Sequence, residues 1–291
     1  MKVLLLANQQ AASGRTRRLL PRLLDFLRSR LPELDYTPTH SAAALRQCAA
    51  DAARAGYDCV IAAGGDGTAH AALNGLVGSP TALGVLPLGK GNDFARALGM
   101  PLDPFAAAHA LTAVSPSPVD VVRVASSFYA CVASVGVDAL ANRYANRFAS
   151  PLSGHWHYLL GILPALVVWK PIEVEVVADT GEFRGPVSLV AVANAPSYGG
   201  GLRIAPNAQL DDGSVNVCLI EAVSKRELLE TYPLLFSGQH LRRPFVRSFR
   251  AREVSLRAPA GAELYGDGEF LARLPVTLRV EAAQLKVLRA R

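Results

Sequence analysis

Two short glycine-rich stretches contain the residue types that could bind a phosphorylated ligand. The first, residues 64–68, reads Gly-Gly-Asp-Gly-Thr and follows an apolar run that is typical of a buried parallel strand. Its glycines allow a ligand to approach the main chain, and residues 69–77 have a helical pattern, so the first N–H groups of a helix would face that ligand. We therefore expect a phosphate at this strand end, with Asp66 holding a divalent cation or its water.

The second stretch, residues 84–91, reads Gly-Val-Leu-Pro-Leu-Gly-Lys-Gly. It nearly matches the Walker phosphate loop, G-x-x-x-x-G-K-[ST], but Gly91 stands where that loop needs a hydroxyl to bind Mg²⁺. Pro87 and its apolar neighbours also fit a strand better than a loop. We therefore reject the Walker interpretation, and the lack of a G-x-S-x-G motif argues against a serine hydrolase.

Both stretches belong to an alternation of strand and helix patterns that continues to about residue 115. The predicted strands are residues 2–8, 33–37, 59–63 and 81–86, and the predicted helices are residues 15–30, 42–56 (capped by Ser41) and 69–77. This alternation predicts a doubly wound parallel sheet, in which ligands bind at the carboxyl ends of the strands. Because both glycine-rich stretches follow strands, we expect them to line one crevice.

The pattern changes after the Ser-Pro-Ser-Pro run at residues 115–118. Later segments mostly have strand patterns separated by turn sequences: residues 119–125, 128–137, 172–178, 187–193, 214–220, 253–258, 264–272 and 276–280. The chain is therefore predicted to have an α/β domain over residues 1–122 and a mainly antiparallel β domain, with a few helical insertions, over residues 123–291.

The composition excludes several classes of protein. Hydrophobic residues make up 51% of the chain and charged residues 19%, which excludes a disordered protein. The net charge of +6 favours anionic partners such as nucleotides or acidic lipid surfaces, although an arginine-rich composition with no partner explains it equally well. Four cysteines without a Cys-x-x-Cys pair fit reduced thiols, and no apolar stretch approaches the ~18–20 residues of a membrane span. We expect a cytoplasmic protein that at most touches a membrane.

Two segments could touch a lipid surface. Residues 156–169 contain no formally charged residue and are bracketed by tryptophans, which fits either a buried helix or an apolar lip for an acyl chain. Residues 241–252 interleave five arginines with two phenylalanines, which fits either a solvated edge strand or docking on acidic phospholipid. The sequence alone does not distinguish between the two alternatives for either segment.

Several motifs together resemble the diacylglycerol kinase catalytic domain. They are Gly-Gly-Asp-Gly-Thr at 64–68, Asn-Gly-Leu at 74–76 and Leu-Pro-Leu-Gly-Lys-Gly-Asn-Asp-Phe-Ala-Arg at 86–96. The first motif is shared with NAD kinases and phosphofructokinases, whereas the run at 92–96 points to the lipid branch, which includes YegS-like, sphingosine and ceramide kinases. The resemblance continues through residues 198–201, 210–213 and 266–269, so it covers nearly the whole chain.

The resemblance implies an α/β nucleotide domain, a β-sandwich domain for the lipid and an active site in the cleft between them. It implies an ATP site formed by Asn8, Thr39, Gly64, Gly65, Asp66, Gly67, Thr68, Gly89 and Asn92. Lys90 stands where the family usually has threonine, and we expect its added positive charge to contact a phosphate oxygen. Ala71 replaces a common glutamate, which removes one acidic contact.

The resemblance also implies the catalytic groups. Asp93 and Asp120 would join Asp66 in an acidic network that holds a catalytic Mg²⁺ and water. Asp267 would be the general base that takes the substrate hydroxyl proton, with Glu269 beside it. Judged without the family, the Gly-Asp-Gly sequence around Asp267 is equally typical of a hairpin turn.

A second, structural Mg²⁺ is implied in the β domain. Its ligands would be Asp212 and the carbonyl groups of Gln209 and Ser214. The Asp-Asp-Gly sequence at 211–213 is also a common turn, and such oxygen ligands suit a hard cation only if the loop curls around it.

We therefore expect an ATP-dependent lipid kinase that phosphorylates a hydroxyl of a membrane lipid, diacylglycerol first and a sphingoid base or another lipid second. It would act at the inner face of the membrane without a nucleic-acid partner, and an exposed apolar strand in the second domain could pair two chains. Two alternatives are an NAD kinase and a catalytically silent nucleotide- or lipid-binding regulator. Residues 92–96 argue against the first, and the retained aspartates argue against the second.

Overall fold

The computed structural model describes residues 1–8, 14–141, 165, 167–259 and 261–290, with the backbone alone for residues 14–17. The chain forms two compact units, Met1–Asp120 with Ala283–Arg291, and Val121–Ala282. The first boundary lies two residues before the predicted one at 122. The last nine residues return to the first unit, whereas the sequence analysis assigned them to a second domain over residues 123–291.

The first unit alternates strands and helices as predicted. The strands are Val3–Asn8 (β1), Leu34–Thr39 (β2), Cys59–Gly64 (β3) and Ala82–Pro87 (β4). The helices are Gly14–Arg30 (α1), Ala42–Arg54 (α2), Asp66–Leu76 (α3), Asp93–Ala97 (α4) and Pro104–Leu111 (α5). The Ser41 hydroxyl accepts the Ala44 N–H at 3.1 Å and caps α2 as predicted. Helix α3 begins three residues before residue 69 because Gly67 is helical rather than part of a loop.

The second unit consists mainly of strands. They are Pro116–Val124 (β5), Ser127–Tyr129 (β6), Val132–Gly136 (β7), Ile172–Ala178 (β8), Gly181–Ala193 (β9), Val215–Glu221 (β10), Val246–Ala251 (β11), Glu253–Arg257 (β12), Glu263–Gly266 (β13), Glu269–Arg273 (β14) and Val276–Leu288 (β15). Its longest fully described helix is Lys225–Thr231 (α6). Strands β5 and β15 begin in one unit and end in the other.

In the first unit, parallel strands follow the order β2-β1-β3-β4, and the last part of β15 pairs parallel to β4. The chain goes from β1 to one side to form β2 and then to the other side to form β3. Right-handed crossovers therefore put α1 on one face and α2 and α3 on the other. Helix α1 packs against α5, and α2 packs against α3. The gap between the ends of β1 and β3 is a switch point, where open α/β sheets bind ligands.

In the second unit the strands pair antiparallel, in the order β14-β13-β7-β9-β8-β12-β15, with β10 on β9 and β11 on β10. Their inward-facing side chains form one apolar core that includes Tyr129, Val190 and Leu219. Residues 128–137 and 264–272 were each predicted as one strand, but each forms two. The chain turns at Asp267, and between β6 and β7 it leaves the sheet at Ala130.

For one of the two segments that could touch a lipid surface, residues 241–252, the structure tests the edge-strand alternative. Strand β11 covers half of residues 241–252 and, among the described strands, pairs with β10 alone, which confirms an edge strand. Two of the arginines are in ion pairs within the unit, Arg247 with Glu221 and Arg250 with Asp212. Most of residues 156–169 lie outside the described residues. No helix in the described part of the chain combines the length and apolar character needed to cross a membrane.

Candidate active site

The residues of the first unit that were predicted to bind a nucleotide lie at or just after the ends of neighbouring strands. Asn8 ends β1 and is in register with Thr39 at the end of β2, and Gly64 ends β3 in register with Pro87 of β4. Because the strands are parallel, these residues lie at one edge of the sheet, as predicted. Thr39 is 2% exposed, and its hydroxyl donates to the Ala7 carbonyl at 3.2 Å. Thr39 therefore helps to join β1 and β2 whether or not it contacts a ligand.

Glycines at this edge let two loops approach each other closely. A Cβ on Gly89 would lie 2.3 Å from the Gly65 Cα, and a Cβ on Gly64 would lie 2.2 Å from the Thr68 hydroxyl oxygen. The Leu88 N–H donates to the Gly64 carbonyl at 2.8 Å. Any side chain at Gly64 or Gly89 would collide with these neighbours, so the close approach requires glycine. The first turn of α3 begins at this point, where the Thr68 and Ala69 N–H groups donate to the Gly65 carbonyl at 3.0 and 3.1 Å.

Asn92 shapes the loop after β4. Its backbone is left-handed, with φ 54° and ψ 42°, a conformation that asparagine tolerates better than most residues. Its side-chain oxygen accepts the Gly89 N–H at 3.0 Å, and its side-chain nitrogen donates to the Gly89 carbonyl at 2.9 Å. The amide thus closes the loop that presents Gly89 and Lys90. The sequence analysis listed Asn92 with the ATP-binding residues, but its described side-chain bonds are structural.

Two aspartates flank the same small space. A Cβ on Gly91 would lie 2.7 Å from one carboxylate oxygen of Asp66 and 3.3 Å from one of Asp93. The other Asp66 oxygen accepts the Phe94 N–H at 3.2 Å, which joins the start of α3 to the start of α4. Gly91 therefore leaves room between two carboxylates where any other residue would fill it. The half-exposed Lys90 precedes this space in the chain.

The third predicted member of this acidic network has another role. Asp120 is 3% exposed, and its carboxylate accepts the Ala283 N–H at 2.8 Å. This bond ties the last strand of the chain to β5 within the first unit. Among the described residues, no group of three or more His, Cys, Asp or Glu side chains is placed to hold a metal ion. Asp66 and Asp93 thus flank one space, and within the described residues Asp120 does not join them in a metal-holding group.

In the second unit, Asp267 lies in the two-residue turn between β13 and β14. Asp267 and Gly268 have φ of 52° and 85°, the positive values of the tight turn that Asp-Gly favours. The carboxylate accepts three backbone N–H groups, from Ala130 at 2.8 Å, Cys131 at 2.9 Å and Val132 at 3.3 Å. It is therefore held in one orientation against the connection between β6 and β7, which an ordinary hairpin turn would not require.

Tyr129 supports this turn from inside the unit. It is fully buried, and its hydroxyl donates to the Val192 carbonyl at 3.0 Å. Burial, and then the nearby negative charge of Asp267, raise the pKa of Tyr129 well above its usual value. Tyr129 thus stays neutral beside the carboxylate. Glu269, predicted to act beside Asp267, is exposed at the start of β14.

A cavity of about 420 Å³ lies in the second unit. Its walls are mostly apolar, with Val135, Leu140 and Trp169, and Lys170 and Arg273 add two positive charges. Its size lies within the range of small-molecule sites. Glu263, at the start of β13, lines the cavity, and Asp267 follows the end of that strand. At about 3.3 Å per residue, Asp267 lies about 13 Å along the strand from Glu263.

The predicted structural metal site contains an arginine. Gln209 is exposed three residues before Asp212, which lies with Ser214 in the turn that leads into β10. One Asp212 oxygen accepts the N–H and hydroxyl of Ser214 at 3.1 and 2.9 Å, and the other accepts a guanidinium N–H of Arg250 at 2.6 Å. The cation beside this carboxylate is therefore a side chain of the same unit.

Asp138, which no sequence motif singled out, is 2% exposed just after β7. The Ser134 hydroxyl donates to one of its oxygens at 2.5 Å, and Tyr198 also makes a side-chain hydrogen bond with it. The other oxygen has no hydrogen-bond partner among the described residues. Burial raises the pKa of Asp138 from 3.8 to about 7, against the lowering effect of those two bonds. An aspartate at the end of an apolar strand was the available signal.

Comparisons with known proteins match nearly the whole chain. The family model of the diacylglycerol kinase catalytic domain matches residues 2–124, and that of the YegS C-terminal NAD kinase beta sandwich-like domain matches residues 131–289. A diacylglycerol kinase of Mycobacterium tuberculosis is 34% identical over 289 residues, which cover 97% of this chain and 90% of that protein. A diacylglycerol kinase of Bacillus subtilis is 32% identical over 253 residues, which cover 82% and 81%.

Solved structures share the fold. A putative diacylglycerol kinase from Bacillus anthracis str. Sterne superposes with a TM-score of 0.84 at 22% identity, covering 99% of this chain and 97% of that one. A second structure of a diacylglycerol kinase from the same organism gives a TM-score of 0.77 at 20% identity. The α/β unit followed by a β-sandwich-like unit is therefore an architecture that crystallography has also found.

Proposed function

Because the chain belongs to the YegS-like diacylglycerol kinase family and is a lipid kinase, we propose that it transfers the γ-phosphoryl group of ATP to a hydroxyl of a membrane lipid such as diacylglycerol. The observation that supports this most strongly is the contact of Gly65 with Gly89 next to the paired carboxylates of Asp66 and Asp93. This arrangement places a main-chain surface that a phosphate can approach beside two carboxylates that can bind a metal ion.

The nucleotide phosphates are proposed to lie over the ends of β1 and β3. The glycines there leave the main chain uncovered by side chains, and the N-terminus of α3, which favours an anion, lies at the same place. Lys90, in the loop closed by Asn92, supplies a positive charge for a phosphate oxygen. Phosphoryl transfer depends mainly on such positioning and charge neutralisation, because the protein needs little covalent chemistry of its own.

Mg²⁺ fits the space above Gly91. This ion is usually held by one or two carboxylates together with substrate phosphates and water, and Asp66 and Asp93 supply two carboxylates across a space that lacks a side chain. When bound, Mg²⁺ neutralises charge on the phosphate oxygens. The role of the chain itself is to fix the carboxylates in place, and the bond from the Phe94 N–H does this for Asp66.

Asp267 is proposed to take the proton from the lipid hydroxyl. Its three backbone hydrogen bonds fix the carboxylate, and a fixed base needs no reorganisation when it meets the hydroxyl. The apolar cavity that begins near Glu263 offers the lipid a place for part of its hydrocarbon chain. Peripheral contact with a membrane, where such a lipid resides, belongs to the same proposal.

The test is a phosphorylation assay with a panel of acceptors. Purified protein is incubated with labelled ATP, Mg²⁺ and micelles of diacylglycerol, of a sphingoid base or of phospholipid, and with NAD in a separate reaction. Label in diacylglycerol is the expected result. Label in NAD alone would support an NAD kinase, and binding of ATP without label in any acceptor would support a silent regulator.

Asp66→Asn is the matched inactive variant. It keeps the size of the side chain and one carbonyl oxygen for the Phe94 N–H but removes one of the two charges beside Gly91. We expect no transfer and an unchanged melting temperature. Retained transfer would show that Asp66 has no part in holding the metal.

A further inference from the structure

The turn before β10 contains the half-buried carboxylate of Asp212, whose partners are protein groups. The Asp212 side chain is 18% exposed, and each of its oxygens accepts a hydrogen bond within the unit. Ser214 donates its N–H and its hydroxyl to one oxygen, and Arg250 donates to the other. The carboxylate therefore has both its charge and its geometry matched by protein groups.

Arg250 also binds the side chain of Ser214, the residue whose carbonyl group was a predicted metal ligand. Its Nε donates to the Ser214 hydroxyl oxygen at 3.0 Å, and its Nη2 donates to the same atom at 2.6 Å. One guanidinium group thus joins Asp212 to Ser214, which are two of the three residues that the family resemblance assigned to a structural Mg²⁺. Its planar set of donors suits a carboxylate next to a hydroxyl.

The pairing of β10 with β11 places Arg250 at the turn. Asn216 of β10 is in register with Arg250 of β11, so the arginine lies two residues from Ser214 along the strand. The Thr180 hydroxyl donates to the Arg250 carbonyl, which anchors the backbone at this position. The arginine is therefore positioned by the sheet, and its side chain reaches back over the turn.

A divalent cation does not fit this arrangement. To bind Asp212 it would have to displace a hydrogen-bond donor from a carboxylate oxygen and come within a few ångströms of the guanidinium charge, which would repel it. Mg²⁺ also requires nearly octahedral oxygen ligands, whereas here the donor atoms of Ser214 and Arg250 point at the carboxylate. We propose that Arg250 replaces the structural cation, so that the Asp212–Ser214 turn is held by an internal ion pair and binds no Mg²⁺.

Thermal unfolding and metal counting test this proposal without reference to activity. Melting temperatures are measured for wild type, Asp212→Asn, Arg250→Met and Arg247→Met in EDTA and in excess Mg²⁺. Arg247 is the matched control because it lies on the same strand, its side chain is equally exposed at 59%, and it pairs with a more exposed acid, Glu221. We expect Mg²⁺ to change the melting temperatures of wild type and Asp212→Asn equally, and Arg250→Met to melt about 2–4 °C below wild type, a larger loss than Arg247→Met causes.

Binding of Mn²⁺ by electron paramagnetic resonance, in wild type and in Asp212→Asn, then locates any ions. Equal numbers of bound ions are expected, because ions beside Gly91 are unaffected by the change at Asp212. One fewer ion in Asp212→Asn, or a gain in melting temperature with Mg²⁺ that this variant loses, would overturn the proposal. So would an Arg250→Met protein that melts like wild type. If Mg²⁺ raises the melting temperature of Asp212→Asn as much as that of wild type, the ion binds at a site other than Asp212, which agrees with the proposal.

Discussion

Replacing Asp138 by asparagine should remove a large pH dependence from the stability of the second unit. The aspartate is 2% exposed, and burial raises its pKa from 3.8 to about 7, despite its bonds to Ser134 and Tyr198. One of its oxygens lacks a hydrogen-bond partner in the described part of the chain. Ionising such a group inside the unit is costly, because the charge loses its water and gains no counter-ion.

The sign and size follow from the two pKa values. In the unfolded chain the carboxyl loses its proton near pH 3.8, and in the folded chain near pH 7. Between these values the folded state keeps a proton that the unfolded state has lost, so raising the pH favours unfolding. The stabilisation is complete below pH 3.8 and is lost as the pH rises through 7. At about 1.4 kcal/mol per pH unit, a difference of about three units is worth about 4 kcal/mol.

The assay compares wild type with Asp138→Asn by urea unfolding at several pH values. Tryptophan fluorescence is the probe, since Trp169 is buried and both tryptophans fall within residues 121–282. Asparagine is always neutral and similar in shape. From about pH 5 to about pH 8, the free energy of unfolding of wild type should fall by about 3 kcal/mol relative to Asp138→Asn.

Asp25→Asn, a surface change on α1 in the other unit, is the control for the loss of one carboxylate. Its difference from wild type should not follow the same curve. A difference between Asp138→Asn and wild type that stays constant across this pH range would refute the reasoning. It would mean that Asp138 is ionised in the folded protein and has a partner that its surroundings do not reveal.

Three further changes test the proposed kinase site. Gly89→Ala forces a Cβ to 2.3 Å from the Gly65 Cα and should weaken ATP binding at least about tenfold in calorimetry. The control is Gly181→Ala, where a Cβ meets nothing within 4 Å and ATP binding should not change. Equal affinity of the two variants for ATP would contradict the argument that the two loops need a close approach. Lys90→Thr should raise the KM for ATP with little change in kcat, because a lost phosphate contact weakens binding, and an unchanged KM would exclude that contact. Asp267→Asn should lower kcat by about 10²–10⁴-fold, as expected for loss of a general base, and nearly full activity in initial-rate measurements would assign the proton to another group.

Local patterns predicted the first four strands and the first three helices of the chain well, but not helices α4 and α5. Strands and helices there have clear apolar periodicities, and glycines and Ser41 mark their ends, so most bounds agree within one to three residues. The same patterns placed the glycine-rich stretches at strand ends. The second unit was harder, because a short break such as the one at Ala130 leaves the alternation of apolar residues on both sides intact.

Residues with two uses were the hardest to assign. Asn92 is a good candidate for a ligand contact by residue type, yet its amide is occupied with Gly89. Asp212 is a good candidate for a metal ligand, yet it pairs with Arg250, 38 residues away. In each case the side chain could bind either a ligand or another protein group, and the fold determines which of these lies near it.

The sequence by itself determined the order of the elements, the doubly wound start of the chain and the resemblance that leads to a lipid kinase. These follow from interactions between residues close in the chain, or from motifs that are contiguous. Only the tertiary structure showed that the last nine residues belong to the first unit, that Asp66 and Asp93 face one space, and that Asp138 is buried. Those outcomes depend on contacts between distant residues, whose free energies are decided by strand pairing and burial rather than by any local pattern.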